Sequence, residues 1–290
     1  MIKKTLVTGL LLALGNTAFA ATLSLQSTVS LTSEFEHASN NFHPQGLGYD
    51  QSTNELLYMQ QSSFRVQRSD LNGNATGSTA VTLNHTTSVA ADADFYYFSD
   101  YTSNTFGLDL FVVDKTTGAQ TAISTERAAY GGYPIDVRDG ILYRSGFSTG
   151  YSWSNLNTIR IADVATPDTI DQTVTLATPN GIGDFGIDSA RNEAWVLDYS
   201  GSASIRRFDL TTGAELDSFA VGVDGLTGGL TFANDMLYYY DWSATDSTLT
   251  TFAIGDLPNV GGPAAVPLPA SALLLLSGLG ALALRRRARR

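Results

Sequence analysis

Tyr49-Asp50-Gln51-Ser52-Thr53-Asn54-Glu55-Leu56-Leu57-Tyr58 reads as a strand, a turn and a second strand, and it occurs again as Ile187-Asp188-Ser189-Ala190-Arg191-Asn192-Glu193-Ala194-Trp195-Val196. The Asp, Asn and Glu stay in register, and the offset of 138 residues is three times 46. Shorter versions appear as Asp94-Phe95-Tyr96-Tyr97, Gly140-Ile141-Leu142-Tyr143 and Asp235-Met236-Leu237-Tyr238, which makes five units. A second mark follows downstream. Asp114-Lys115-Thr116-Thr117-Gly118 and Asp209-Leu210-Thr211-Thr212-Gly213 are near copies, and Asp70 and Asp163 hold the same place in units one and three, so these aspartates are spaced by 44, 49 and 46 residues. Asp accepts hydrogen bonds from nearby backbone N–H groups and Gly supplies positive φ, so the mark is a turn between strands.

Residues 21–258 show almost no helical periodicity and many short β-branched and aromatic runs between turn residues, which predicts an all-β body. A period of roughly 45 residues with four strands per unit predicts a β-propeller, each blade one twisted antiparallel sheet. The fifth unit runs into the linker 257–265 before its outer strand, while residues 22–35 are strand-like and precede the first unit. The expectation is therefore five blades of four strands, the last completed by the N-terminal strand so that no strand edge is left unpaired. A six-blade ring with a degenerate first blade and a β-sandwich are the alternatives that the spacing leaves open. The unit pattern resembles the YVTN, NHL and quinoprotein-like propeller superfamilies over residues 44–255. That resemblance implies an architecture and not an activity, because propellers host lactonases, oxidoreductases and binding scaffolds alike.

The two ends of the chain concern its destination. Lys3 and Lys4 precede an apolar stretch and then Ala18-Phe19-Ala20, a small-x-small cleavage site, so residues 1–20 read as a secretory signal peptide and the mature chain as beginning at Ala21. At the other end stand Val266, Pro267, Leu268, Pro269 and Ala270, an apolar run to Leu284, and then Arg285, Arg286, Arg287, Arg289 and Arg290. Residues 266–284 as a helix span roughly 28 Å at about 1.5 Å per residue, close to the thickness of bilayer hydrocarbon, so one C-terminal transmembrane helix is expected with the arginines held in the cytoplasm.

This proline motif, short span and arginine tail resemble the PEP-CTERM class of bacterial sorting signals in its VPLPA variant. The resemblance covers about a tenth of the chain. It implies processing by an exosortase-type transpeptidase in the inner membrane of a Gram-negative bacterium, followed by delivery to the cell surface or to extracellular polysaccharide. The organisation expected is a signal peptide (1–20), a propeller (21–256), a linker (257–265) and a sorting signal (266–290).

Seven of the 17 basic residues lie in these ends and all 28 acidic residues lie between them, so the body carries a formal charge of −18. Such a surface repels phosphate backbones and anionic lipid, which excludes nucleic acid as a partner. With no cysteine, an exported body has no disulfide and must be held by its core.

After the second strand of four units come Asp100-Tyr101-Thr102, Gly146-Phe147-Ser148, Asp198-Tyr199-Ser200 and Asp241-Trp242-Ser243, with Trp153 in the longest of these loops. Tyr101, Phe147, Trp153, Tyr199 and Trp242 are therefore candidate glycan-binding residues, aromatic rings that stack on sugars beside carboxylates that bind hydroxyls. Repeated residues also serve tasks common to every blade, such as turn capping and packing between blades. Asp92, Asp94, Asp136, Asp184 and Asp188 fall in or near inner strands, and Asp92, Asp136 and Asp184 are the metal candidates, with Ca²⁺ as the cation for such oxygens. No cofactor motif is evident: His37, His43 and His85 have no zinc spacing, and no G-x-S-x-G elbow nominates a nucleophile. The function expected is a non-enzymatic binding or structural protein of the cell surface or matrix. The alternative is a metal-dependent hydrolase or lactonase with its site in the channel.

Overall fold

The computed structural model describes residues 21–31, 46–59, 65–81, 86–101, 108–123, 131–147, 156–177, 181–198, 204–222, 228–241 and 247–256. The described chain is all-β, with 20 strands. Among the described residues no helix is long and apolar enough to cross a membrane. The segments expected to be a signal peptide, a linker and a sorting signal lie outside the described residues.

The strands fall into five four-stranded antiparallel units. The first is β2 (Gly46–Asp50), β3 (Glu55–Met59), β4 (Arg65–Ser69) and β5 (Ala75–Ala80). The second is β6 (Thr86–Ala91), β7 (Phe95–Tyr101), β8 (Leu108–Asp114) and β9 (Gln120–Ile123). The third is β10 (Gly131–Arg138), β11 (Ile141–Phe147), β12 (Leu156–Asp163) and β13 (Gln172–Thr175), and the fourth is β14 (Ile182–Asp188), β15 (Glu193–Asp198), β16 (Ser204–Asp209) and β17 (Glu215–Ala220). The fifth joins β18 (Gly228–Ala233), β19 (Met236–Asp241) and β20 (Ser247–Gly255) to β1 (Thr22–Leu31), the N-terminal strand, which pairs antiparallel with β20 from Thr22↔Gly255 to Leu31↔Ser247. A single parallel bridge, Asp50↔Ala91, joins the first two units into one eight-stranded sheet. The first strands neighbour one another in the order β2, β6, β10, β14, β18, and β18 neighbours β2 again. The arrangement is thus propeller-like, with the first strands neighbouring one another in a ring.

The sequence repeat has a physical content in each of its marks. In the first strand-turn-strand, Asp50 Oδ1 accepts the Ser52 N–H and hydroxyl, and in its copy Asp188 Oδ1 accepts the Arg191 N–H. Asn54 and Asn192 take φ of 59° and 55°, the left-handed conformation that Asn tolerates better than other side-chain-bearing residues. Glu55 and Glu193 reach Arg68 and Arg207, one strand further out in their own units. In the downstream turns Asp114 Oδ1 accepts from Thr116 and Thr117 N–H, and Asp209 Oδ1 from Thr211 and Thr212 N–H, with Gly118 and Gly213 at positive φ.

The apolar residues do not form one core. They form five clusters, one between each pair of neighbouring units, as expected where sheets face each other around a circle. Phe185, Ile187 and Phe208 meet Tyr143 and Ile159 between the third and fourth units, and Trp195 and Ile205 meet Leu237 and Phe252 between the fourth and fifth. The first strands are buried along their length while β1, the outermost strand of the fifth unit, is largely exposed. A register shift between Leu25 and Ser27 twists this edge, a device that discourages pairing with another chain. Near the axis the first strands approach so closely that a Cβ at Gly186 would lie 2.2 Å from Phe232 N, and one at Gly229 would lie 2.6 Å from Leu47 N. Gly228 differs from Gly229, since a Cβ there would lie 2.2 Å from the Tyr239 ring of its own unit.

Candidate functional site

The axis poses a chemical problem. Each first strand is hydrogen-bonded to its own unit on one side, so the N–H and C=O groups of its other edge point inward and need partners. Side chains from three first strands meet that need. Asp184 of β14 accepts the N–H of Phe185 at 2.9 Å, of Leu230 in the fifth unit at 2.8 Å and of Leu47 in the first at 3.4 Å. Asp136 of β10 accepts the N–H of Val137 and of Ile187 in the fourth unit, both at 2.8 Å, and Ser88 Oγ of β6 accepts Ile135 N–H in the third. Three of these contacts share one geometry: Asp184 with Leu230, Asp136 with Ile187 and Ser88 with Ile135 each take the N–H one residue further along the first strand of the next unit.

Four of the carbonyls share one partner. Arg138, at the end of β10 and 5 % exposed, donates from Nη1 to Tyr49 O and Val137 O, from Nε to Ile187 O and from Nη2 to Phe232 O and Thr231 Oγ1. Tyr49, Val137, Ile187 and Phe232 occupy the same level of four first strands, each paired to the opposite residue of its own second strand: Leu56, Leu142, Ala194 and Leu237. One guanidinium therefore ties four of the five units together and fills the axis at this level. Arg138 Nη1 also lies 3.0 Å from Asp136 Oδ1. Burial nonetheless pushes the Asp136 carboxyl up to about 6, against the opposing pull of Arg138 and of its two N–H bonds. Burial raises Asp184 well above the ordinary carboxylate range, and the neighbouring Asp136 adds to that.

Just beyond Arg138 the turns between first and second strands form a rim. Asp50 pairs with Lys115 of the second unit, and Asp188 pairs with Arg191, which reaches on to Asp235 of the fifth unit at 2.8 Å. Asp92 accepts the N–H of Asp94 and Phe95 and the hydroxyl of Tyr97, and burial together with that bond raises the Tyr97 hydroxyl. Two shallow cavities open here. One of about 450 Å³ is lined by Tyr49, Asn54, Arg138, Asp188, Asn234 and Asp235, and one of about 430 Å³ by residues including Gln51, Asp92 and Asp139.

Of the metal candidates, Asp136 and Asp184 lie at the axis within electrostatic reach of each other, while Asp92 caps a turn on the rim. Ca²⁺ requires six to eight oxygen ligands. The oxygens of Asp136 and Asp184 already accept N–H bonds, and a guanidinium adjoins Asp136, so the residues present do not fit a cation at the axis. Among the described residues no group of three or more His, Asp or Glu is placed to hold a metal ion. His37, His43 and His85 lie outside the described residues.

The rim opposite these turns is where the second strands end. Second strands β7, β11, β15 and β19 end there at Tyr101, Phe147, Asp198 and Asp241. The side chains of Tyr101 and Phe147, and all of Trp153, Tyr199 and Trp242, fall outside what the structure describes. The residues that sequence reasoning missed are Arg138, Ser88 and Lys115. Arg138 carried a signal, since it stands where the equivalent first-strand ends have Asp50, Asp188 and Ala233.

No protein-family model and no curated protein matches the chain. Among solved structures it is similar to a hydrazine synthase chain of Kuenenia stuttgartiensis, with 15 % identity and a TM-score of 0.44 over 72 % of this chain; the match spans 58 % of that chain. It is also similar to a chain of a nidogen/laminin complex, with 17 % identity and a TM-score of 0.47, covering 69 % of this chain and 72 % of that one.

Proposed function

We propose that this is an exported five-bladed β-propeller, closed by its N-terminal strand, that binds or organises extracellular polysaccharide or a surface partner without catalysing a reaction. It is delivered by a C-terminal sorting signal, with an exosortase-type transpeptidase as processing partner and the inner membrane as a way-station. The observation that carries the reading is the fate of the axial groups. In enzymes buried charged groups with shifted pKa values are the usual catalytic candidates, but here Asp136, Asp184 and Arg138 are engaged in bonds between units. That leaves a rim as the surface for a ligand. The second strands of four units run toward one rim, and the aromatic candidates stand at or beyond their ends in sequence. The −18 body favours neutral glycans over polyanions.

The test is a glycan array probed with the processed protein, its Tyr199→Ala and Trp242→Ala variants, and a Leu216→Ser control on an outer strand. Binding to neutral glycans that both rim variants weaken at least tenfold, with the control unchanged, is expected. Binding that neither rim variant alters would remove the glycan reading of this rim. For delivery, the intact mass of protein taken from the native cell surface should end near residues 266–270, and a mass running through Arg290 would contradict it.

A further inference from the structure

The nitrogen of Ala21 lies 3.3 Å from Asp217 Oδ2, 196 residues away in sequence. Ala21 immediately precedes β1 and is only 5 % exposed, its methyl packed in the cluster between the fourth and fifth units with Leu23 and Trp195. Asp217 stands on β17, the outer strand of the fourth unit, and Arg207 Nη2 lies 2.5 Å from the same oxygen. Thr22 Oγ1 donates to Asp256 at the end of β20. The start of β1 is therefore clasped on both sides, by the unit it completes and by the unit before it.

This nitrogen is the one that the Ala18-Phe19-Ala20 site singles out. We propose that Asp217 is a docking site for the α-ammonium group created when the chain is cut between Ala20 and Ala21, so that removal of the leader locks β1 into place and completes the circle. The proposal rests on the export reading above. In the cut, water gives its hydroxyl to the Ala20 carbonyl carbon as the peptide C–N bond breaks, and the Ala21 nitrogen takes the remaining proton and a second from solvent. One amide N–H becomes three charged N–H donors. The contacts suit that charge: Asp217 on β17 holds this nitrogen beside Arg207 on β16, Arg207 is shared with Glu193 on β15, and Asp256 after β20 accepts the hydroxyl of the adjoining Thr22. A charge-assisted hydrogen bond is about twice as strong as a neutral one, and this one ties the first strand of the chain to a unit it does not belong to.

The site has a pH signature. An amine that gains a carboxylate partner has its folded-state pKa raised above its ordinary value near 8, so the stabilisation is full below about pH 8 and is lost as pH rises through the folded value. The experiment is a cycle of four proteins in detergent: residues 21–290 released from a fusion so that Ala21 is the first residue, the same chain with a Gly-Ser extension, and both again with Asp217→Asn. At pH 7 the chain starting at Ala21 should melt about 2–5 °C above the extended one. The gap should close with Asp217→Asn and above about pH 10. Equal melting of the two Asp217 proteins, or a gap that survives Asp217→Asn, overturns the proposal. N-terminal sequencing of the exported protein separates this from the export reading. A start at a residue other than Ala21 overturns the link to processing even if the cycle behaves as expected, and an uncleaved start overturns the signal-peptide reading itself.

Discussion

Arg138 in the third unit donates to the carbonyl oxygen of Phe232 in the fifth across 2.7 Å, reaching past the unit between them. Because the same guanidinium also holds Tyr49 and Ile187 carbonyls, its removal would orphan buried acceptors in several strands at once and leave Asp136 without its counter-charge. Arg138→Met should therefore cost about 3–5 kcal/mol of stability. Arg138→Lys should recover little of it, since an ammonium has three donors from one point and no planar fork. Urea denaturation of the two variants beside wild type checks this, and a Lys variant of wild-type stability would show that charge alone is what matters at the axis.

The pH dependence of stability should bear the mark of Asp136. Its folded-state pKa is raised to about 6, above the unfolded value near 4, so the folded chain retains a proton that the unfolded chain has released. Stability then falls as pH rises from about 4 to about 6, and Asp184, shifted in the same direction, contributes likewise. Below about pH 4 the turn carboxylates of Asp70 and Asp114, whose N–H bonds hold their pKa values down, act in the opposite sense and stability falls with acid. Melting temperatures at pH 5 and pH 7 should favour pH 5, and Asp136→Asn should narrow that difference. An unchanged difference in the variant would assign the titration to another group.

The close approach of first strands predicts where a single methyl is intolerable. Gly186→Ala would place a Cβ 2.2 Å from a backbone nitrogen of the next unit, which has no side-chain rotamer through which to yield. The cost expected is at least about 3 kcal/mol. Gly118→Ala, at positive φ in an exposed turn with nothing within 4 Å, should cost only the strain of a left-handed residue, about 1–2 kcal/mol. Comparable losses at the two positions would refute the packing argument.

The repeat was legible because its marks are local. Asp-x-x-x-Asn-Glu encodes a capped turn, a left-handed residue and a carboxylate facing an arginine on the next strand, and each part acts within its own unit. The completion of the fifth unit by the N-terminal strand, found at Thr22–Leu31, was legible for a topological reason, since a missing outer strand and a spare N-terminal strand answer each other. The axis was not legible. Asp136 and Asp184 looked like ligands because sequence reports a residue's type and not the unpaired N–H groups of strands 46 to 137 residues away that claim its oxygens. Arg138 was passed over because it breaks the repeat where the repeat was the only guide. The aromatic candidates illustrate the opposite case: their recurrence is plain in sequence, and their side chains lie outside the described residues.

Ser145 offers a test in the other direction. Its hydroxyl is fully buried in β11 with no hydrogen-bond partner among the described residues, so nothing described offsets its desolvation. Other units place serines where the hydroxyl is used, as in Ser88 accepting Ile135 N–H and Ser69 bonding Tyr58, so a buried serine is not idle by default. Deleting an oxygen that nothing satisfies removes the desolvation cost and leaves a void of only one atom, so Ser145→Ala should raise stability by about 1 kcal/mol. Ser88→Ala should lower it by a similar amount, because it leaves Ile135 N–H buried and unpaired. Equilibrium denaturation of the two variants side by side decides the matter: opposite signs support the assignment of bonds between units, and destabilisation by both would mean that Ser145 has a partner that its surroundings do not reveal.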